Sequence, residues 1–150
     1  MIIYLILSAI IICIDQFVKY WTVQNILLGD SRPLIDGFIS LTHLRNTGAA
    51  WSILEGKMFF LVLFTALALA VVIYCMWKNR KASHWLMLGL SLILAGGIGN
   101  LIDRIRLGYV VDMFQTDFMN FPIFNVADMS LVVGVVCVFI YIILDEKEKK

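Results

Sequence analysis

Four apolar runs, each close to the length that crosses a bilayer, constrain this chain more than any other feature. They extend from about Ile2 to Tyr20, Met58 to Trp77, Ser83 to Ile102 and Val126 to Leu144. Spanning the hydrocarbon takes ~20 predominantly apolar residues. Lipid offers no water to the backbone, so each run must satisfy its own N–H and C=O groups, which predicts helices. Length, not periodicity, decides this against strands. The chain is 61% hydrophobic and 15% charged over 150 residues. A soluble fold would have to hide that apolar share in one small core, which surface-to-volume scaling does not allow. The predicted fold is therefore an all-α integral membrane protein with four transmembrane helices, residues 1–150 forming a single domain. The first run lacks a basic n-region and a following small-residue cleavage site, so it reads as a retained span and not a signal peptide.

Lysine and arginine set the expected orientation. The short link between the second and third runs is filled by KNRK, Lys78 to Lys81, and the chain ends in DEKEKK, Asp145 to Lys150. Four spans place both on one side, and the positive-inside rule makes that side, with both termini, cytoplasmic. Arg32, Arg45, Lys57, Arg104 and Arg106 fall on the other side, spread over two much longer connections. Those connections, Trp21 to Lys57 and Asp103 to Asn125, are then extracytoplasmic. FISLTHL and GYVVDMF within them read as short strands, which predicts a small β platform on the membrane surface. Trp21, Trp51, Phe114, Phe118, Phe121 and Phe124 suit the interfacial region where aromatic rings gather.

Cysteine and histidine chemistry is weakly represented. Cys13, Cys75 and Cys137 are widely spaced inside apolar runs and read as small hydrophobes. No CxxC and no Cys/His cluster is present, so neither a metal site nor a disulfide framework is expected. His43 and His84 fall on opposite sides of the membrane in this topology and cannot share a metal. The net charge of +1 points to neither a nucleic acid nor an acidic partner. Ser91, Ala95 and Gly99, and then Ser130 and Gly134, have the spacing of helix-packing faces in lipid.

The remaining polar residues need a reason, because charges in or beside a span are costly. Asp15 and Lys19 are four residues apart and meet on one helix face. They form a structural ion pair or help orient a site. Asn100, Asp103 and Arg104 close the third run. Arg104 complements a helix C-terminus, but a buried Asn100 amide needs partners. Asn125 suits an N-cap, with Asp128 as its capping-box acid. Asp112 changes that balance. The third and fourth runs are antiparallel neighbours, so Asp112 and Asp128 are held at one membrane edge. Two carboxylates brought close in a partly desolvated place share one proton and supply a base and an acid together. Such a pair can activate a water and protonate a leaving amine. Asp117 lacks that setting and reads as a solvated loop acid. GGIGN, Gly96 to Asn100, matches the GxGD motif of presenilin-type proteases only in part, with Asn where that motif requires Asp, which excludes it.

Taken in order, DQFVK (Asp15 to Lys19), NTGAAW (Asn46 to Trp51), GGIGNLIDR (Gly96 to Arg104), VVDM (Val110 to Met113) and FNVAD (Phe124 to Asp128) closely resemble the lipoprotein signal peptidases, the bacterial type II signal peptidases. Trp51 and Met113 stand where that family commonly has Phe. The resemblance implies an aspartyl endopeptidase of the bacterial cytoplasmic membrane. Its substrates would be diacylglyceryl-modified prolipoproteins, cut on the N-terminal side of the lipobox cysteine. It implies Asp112 and Asp128 as the catalytic dyad, with Asn46, Gly48, Asn100, Arg104 and Asn125 lining the site and Asp15 nearby. No metal or organic cofactor is implied. Membrane lipids and globomycin-type cyclic peptides are the further partners it implies. Two other functions remain open from the residues alone. A proton-coupled transporter would need acids spread through the membrane depth. A structural membrane protein would make Asp112→Asn silent.

Overall fold

The computed structural model describes residues 1–48, 54–81 and 83–148. Trp51, expected at the interface, lies outside the described residues, as do Ala49 and Ala50 of the NTGAAW stretch. Four helices are long and apolar enough to cross a membrane: α1 (Ile2–Asn25), α2 (Met58–Lys78), α3 (His84–Leu107) and α4 (Val126–Glu148). At ~1.5 Å per residue each exceeds the ~30 Å of hydrocarbon. The chain is a multi-pass membrane protein. Its outward faces carry exposed Ile, Leu, Val and Phe along α1, α2 and α4, as lipid contact requires.

Three helices run at least four residues further than the apolar runs suggested, α4 among them, to Glu148. No breaker follows Tyr20, so α1 continues to Asn25. The polar residues after Ile102 do not end α3, which stops at Gly108, held in the left-handed region at φ 77°. That conformation suits glycine and closes the helix. The polar residues Asp103 and Arg104 therefore sit on a rigid helix and not in a loop.

α3 is the central helix and packs against α1, α2 and α4. Its approach to α4 depends on small residues. A Cβ on Gly89 would stand 2.7 Å from the Gly134 carbonyl, and one on Gly134 2.8 Å from the Gly89 carbonyl. A Cβ on Gly96 would come closer still to the Ala127 carbonyl. Ser91 and Ala95 are buried on the same helix. Ser130 donates to the Leu92 carbonyl at 2.8 Å, and Ser8 of α1 to the Ser91 carbonyl at 2.8 Å. Leu69 and Met76 of α2 close against Leu86, Met87, Leu90 and Leu94 of α3 to form the apolar core.

The two long connections meet in one antiparallel sheet of order β1-β2-β3, with β1 at Ser31–Ile35, β2 at Ile39–Asn46 and β3 at Val110–Thr116. β2 and β3 were legible as strands. β1 was not, because Pro33 removes a donor. An edge strand tolerates that loss, and Pro33 is paired with Ser40 on that edge. The partial alternation of FISLTHL also has a cause: the β2–β3 register shifts between Leu41 and Leu44. The sheet joins the ends of α1 and α3 to the starts of α2 and α4, and it carries Asp112 to that end of the bundle.

Candidate active site at the start of the fourth helix

Asp112 comes from β3 and Asp128 from the first turn of α4. Asn125 joins them. Its Nδ2 donates to Asp112 Oδ1 at 2.6 Å, and its Oδ1 accepts the Asp128 backbone N–H at 2.8 Å. The Asn125 backbone N–H in turn donates to Asp128 Oδ2 at 3.1 Å. That reciprocal pair is a capping box with the N-cap served by asparagine. Capping and site formation are therefore not rival roles for Asp128. One carboxylate oxygen caps the helix, and Oδ1 faces the site, where it accepts from Asn100 Nδ2 at 2.8 Å.

Asp112 is buried, with 1% of its surface exposed, whereas Asp128 is half-buried. Asp112 Oδ2 accepts from Asn46 Nδ2 at 2.9 Å. Burial, followed by the charge of Asp128, pushes the Asp112 carboxyl up to about 7, against the pull of hydrogen bonds from Asn46 and Asn125 and of the Lys19 charge. Desolvation penalises the charged form, and a second carboxylate nearby adds to it. The site thus holds a carboxyl that can carry a proton near neutral pH beside a second, more accessible carboxylate.

Asn46 is itself held. Its Oδ1 accepts the Gly48 N–H at 2.9 Å, and Arg104 Nη2 donates to the Gly48 carbonyl at 3.1 Å. Among the described residues Arg104 makes one such bond and not a bidentate grip. Its Nε is buried with no protein partner among the described residues. Asn100 joins the two halves of the site, since its Oδ1 also accepts from Asn125 Nδ2 at 3.1 Å. All eight residues singled out from the sequence, Asp15, Asn46, Gly48, Asn100, Arg104, Asp112, Asn125 and Asp128, therefore fall in one connected network.

Asp15 enters it from below. Its Oδ1 accepts the Ala127 backbone N–H at 2.9 Å, a second tie to the start of α4. Its partner Lys19 does more than the i,i+4 pairing implied. Lys19 Nζ contacts Asp15 Oδ2 at 2.9 Å and Asp103 Oδ2 at 3.1 Å, and donates to Asn100 Oδ1 at 3.0 Å. Gln16 Nε2 bonds Asp15 at 3.2 Å and Asp103 at 3.0 Å. Sequence reasoning paired Lys19 with Asp15, in a structural or site-orienting role, but did not join either to Gln16 and Asp103. The available signal was three polar residues facing inward from two apolar helices.

The other polar groups stay outside. Asp117 is exposed and accepts from Ser40 Oγ at 2.8 Å. His43 donates to the Ile26 carbonyl at 2.8 Å beside the sheet. His84 pairs with Tyr4 at 2.6 Å at the opposite end of the bundle. Among the described residues no group of three or more His, Cys, Asp or Glu side chains is arranged to hold a metal.

Known proteins resemble this chain over nearly its whole length. A family model described as signal peptidase (SPase) II matches residues 7–144. The chain is 63% identical to the lipoprotein signal peptidase of Enterococcus faecalis over 150 residues, covering 100% of this chain and 93% of that protein. It is 52% identical to the lipoprotein signal peptidase of Lactiplantibacillus plantarum, covering 99% of both. A bacterial membrane enzyme solved in meso at 2.3 Å superposes with TM-score 0.93 at 37% identity, covering 98% of this chain and 91% of that one. By its sequence and by its fold, the chain belongs to the signal peptidase II family.

Proposed function

We propose that this protein is an intramembrane aspartyl endopeptidase that removes the signal peptide from diacylglyceryl-modified prolipoproteins, cutting on the N-terminal side of the lipobox cysteine. The observation that carries the reading is the paired environment of Asp112 and Asp128: one buried carboxyl raised to about 7, one half-open carboxylate held by donors, both bonded to Asn125. Residues 1–150 act as one peptidase domain, with Asn46, Gly48, Asn100, Arg104 and Asn125 shaping the site. Asp15 supports it from α1.

In the resting pair one proton is shared, and Asp112 carries it. Asp128, at the positive end of α4, stays ionised. It takes a proton from a water, whose oxygen bonds to the scissile carbonyl carbon. The Asp112 proton is directed to the carbonyl oxygen as charge develops there. When the tetrahedral intermediate collapses, the C–N bond breaks, the proton taken by Asp128 passes to the leaving cysteine nitrogen, and the hydroxyl proton that Asp112 supplied returns to it; the pair again holds one proton, and the new carboxylic acid ionises in solvent. The products are a carboxylate on the signal peptide and a free amine on the lipidated cysteine.

The basic link at Lys78 to Lys81 is read as cytoplasmic, with both termini, leaving the dyad at the extracytoplasmic face of the bacterial cytoplasmic membrane. That is where the cleavage end of a signal helix emerges. Exposed Trp21, Phe118 and Phe121 suit contact with interfacial lipid there. A globomycin-type peptide is expected to compete for the same site, by family resemblance. The test is to incubate purified protein with a lipidated prolipoprotein and with its unlipidated precursor. A size shift in the lipidated substrate alone supports the reading, and no shift in either overturns it.

A further inference from the structure

Each member of the dyad is preceded by a residue whose backbone N–H is gripped by a buried carboxylate. Val111, just before Asp112, donates its N–H to Asp103 Oδ2 at 3.1 Å. Ala127, just before Asp128, donates to Asp15 Oδ1 at 2.9 Å. These two carboxylates are joined by one cation. Lys19 Nζ stands 2.9 Å from Asp15 and 3.1 Å from Asp103. Its remaining N–H goes to Asn100 Oδ1 at 3.0 Å, and Asn100 holds Asp128. An ammonium has three donors, and all three are directed to groups that hold the dyad.

Resting on the peptidase reading above, we propose that Lys19 is a positioning residue, the centre of a yoke with Asp15 and Asp103 that sets the separation of Asp112 and Asp128. The energetics favour a role beyond packing. Lys19 is 3% exposed and Asp15 1%. A buried ion group of this kind is often matched or bettered in stability by apolar residues of similar volume. α1 could meet α3 in lipid with small or apolar side chains, as α4 does at Gly89 and Gly134. Charged groups instead converge where they touch the backbone one residue upstream of each aspartate. α1, α3, β3 and α4 each contribute one end of this arrangement, so a shift of α1 moves both aspartates. Gln16, bonded to both Asp15 and Asp103, ties the two carboxylates a second time.

The experiment compares wild type, Lys19→Met and the double variant Lys19→Met/Asp103→Asn in a cleavage assay with lipidated prolipoprotein, with Asp112→Asn as control. The double variant removes one charge of each sign and keeps a side-chain oxygen at position 103 for the Val111 N–H. It is the variant to read if Lys19→Met alone does not fold. A displaced reacting group costs about 100-fold in rate, so kcat should fall by that order while KM changes by less than about threefold. Wild-type kcat in the folded double variant, or a loss carried by KM alone, overturns the yoke. If instead Asp112→Asn turns over like wild type, the dyad reading fails, and the two failures are distinct.

Discussion

Asn125 donates to Asp112 across 2.6 Å, while the same side chain caps α4 through the Asp128 N–H. One amide therefore fixes both the helix start and the carboxyl that faces it. Asn125→Ala should lose helix capping and dyad alignment together. The capping loss costs about 1 kcal/mol, and misalignment about 100-fold in kcat. Thermal unfolding in detergent and a cleavage assay on the same sample measure the two effects. Activity close to wild type in the folded variant would show that Asn125 serves the helix alone.

Asp112, raised to about 7, gives the pH dependence a sign. Below that value it holds the shared proton. As pH rises through it the proton is lost, so kcat/KM should fall on the alkaline side with a midpoint near 7. Stability follows the same group. The folded state binds its proton more tightly than the unfolded chain, so its contribution weakens as pH rises from the ordinary carboxylate range through about 7. Asn46→Leu removes a donor that favours the charged form. The alkaline limb should then move to higher pH. An unchanged or lowered midpoint in a kcat/KM–pH profile would contradict the role given to Asn46.

Arg104 reaches the Gly48 carbonyl and so steadies the turn that presents Asn46. Arg104→Lys keeps the charge but not the planar fork, and an ammonium on a shorter reach cannot reproduce that geometry. A loss of about 10-fold or more in kcat/KM is expected. Wild-type kinetics would reduce Arg104 to a partner of the helix dipole or of lipid headgroups.

Orientation is tested by labelling. With the native cysteines changed to serine, a single cysteine is placed at Asn79 or at Asp117, and whole cells are treated with a membrane-impermeant maleimide. Position 117 should label in intact cells and position 79 only after lysis. The reverse pattern would put both aspartates on the cytoplasmic side, out of reach of an emerging signal peptide.

Much of this architecture was legible before the structure. Lipid leaves few ways to satisfy a backbone, so four apolar runs sufficed for four helices. The ends were harder to read. Asp103 and Arg104 look like the start of a loop, yet α3 carries on to Leu107, and only Gly108 stops it. β1 was invisible because SRPLI has a proline and no alternation, and its pairing is supplied by β2. In the site, Asp112 and Asp128 stood out through motif and topology together. The cluster around Lys19 did not. An i,i+4 spacing reports one helix face, whereas the contacts with Asp103 and Asn100 depend on how α1 packs against α3. Asp128 illustrates the opposite case: the capping signal was correct, and the same carboxylate also turns an oxygen to Asn100.

The most direct measurement is cleavage of a lipidated prolipoprotein by Asp112→Asn, Asp128→Asn and the double variant, each checked for folding in detergent. Two carboxylates that act as one unit lose nearly everything when either is removed, so the effects are not additive. All three variants should fall to the same background level. Substantial turnover by either single variant, with the protein folded, would contradict the assignment of Asp112 and Asp128 as the catalytic pair.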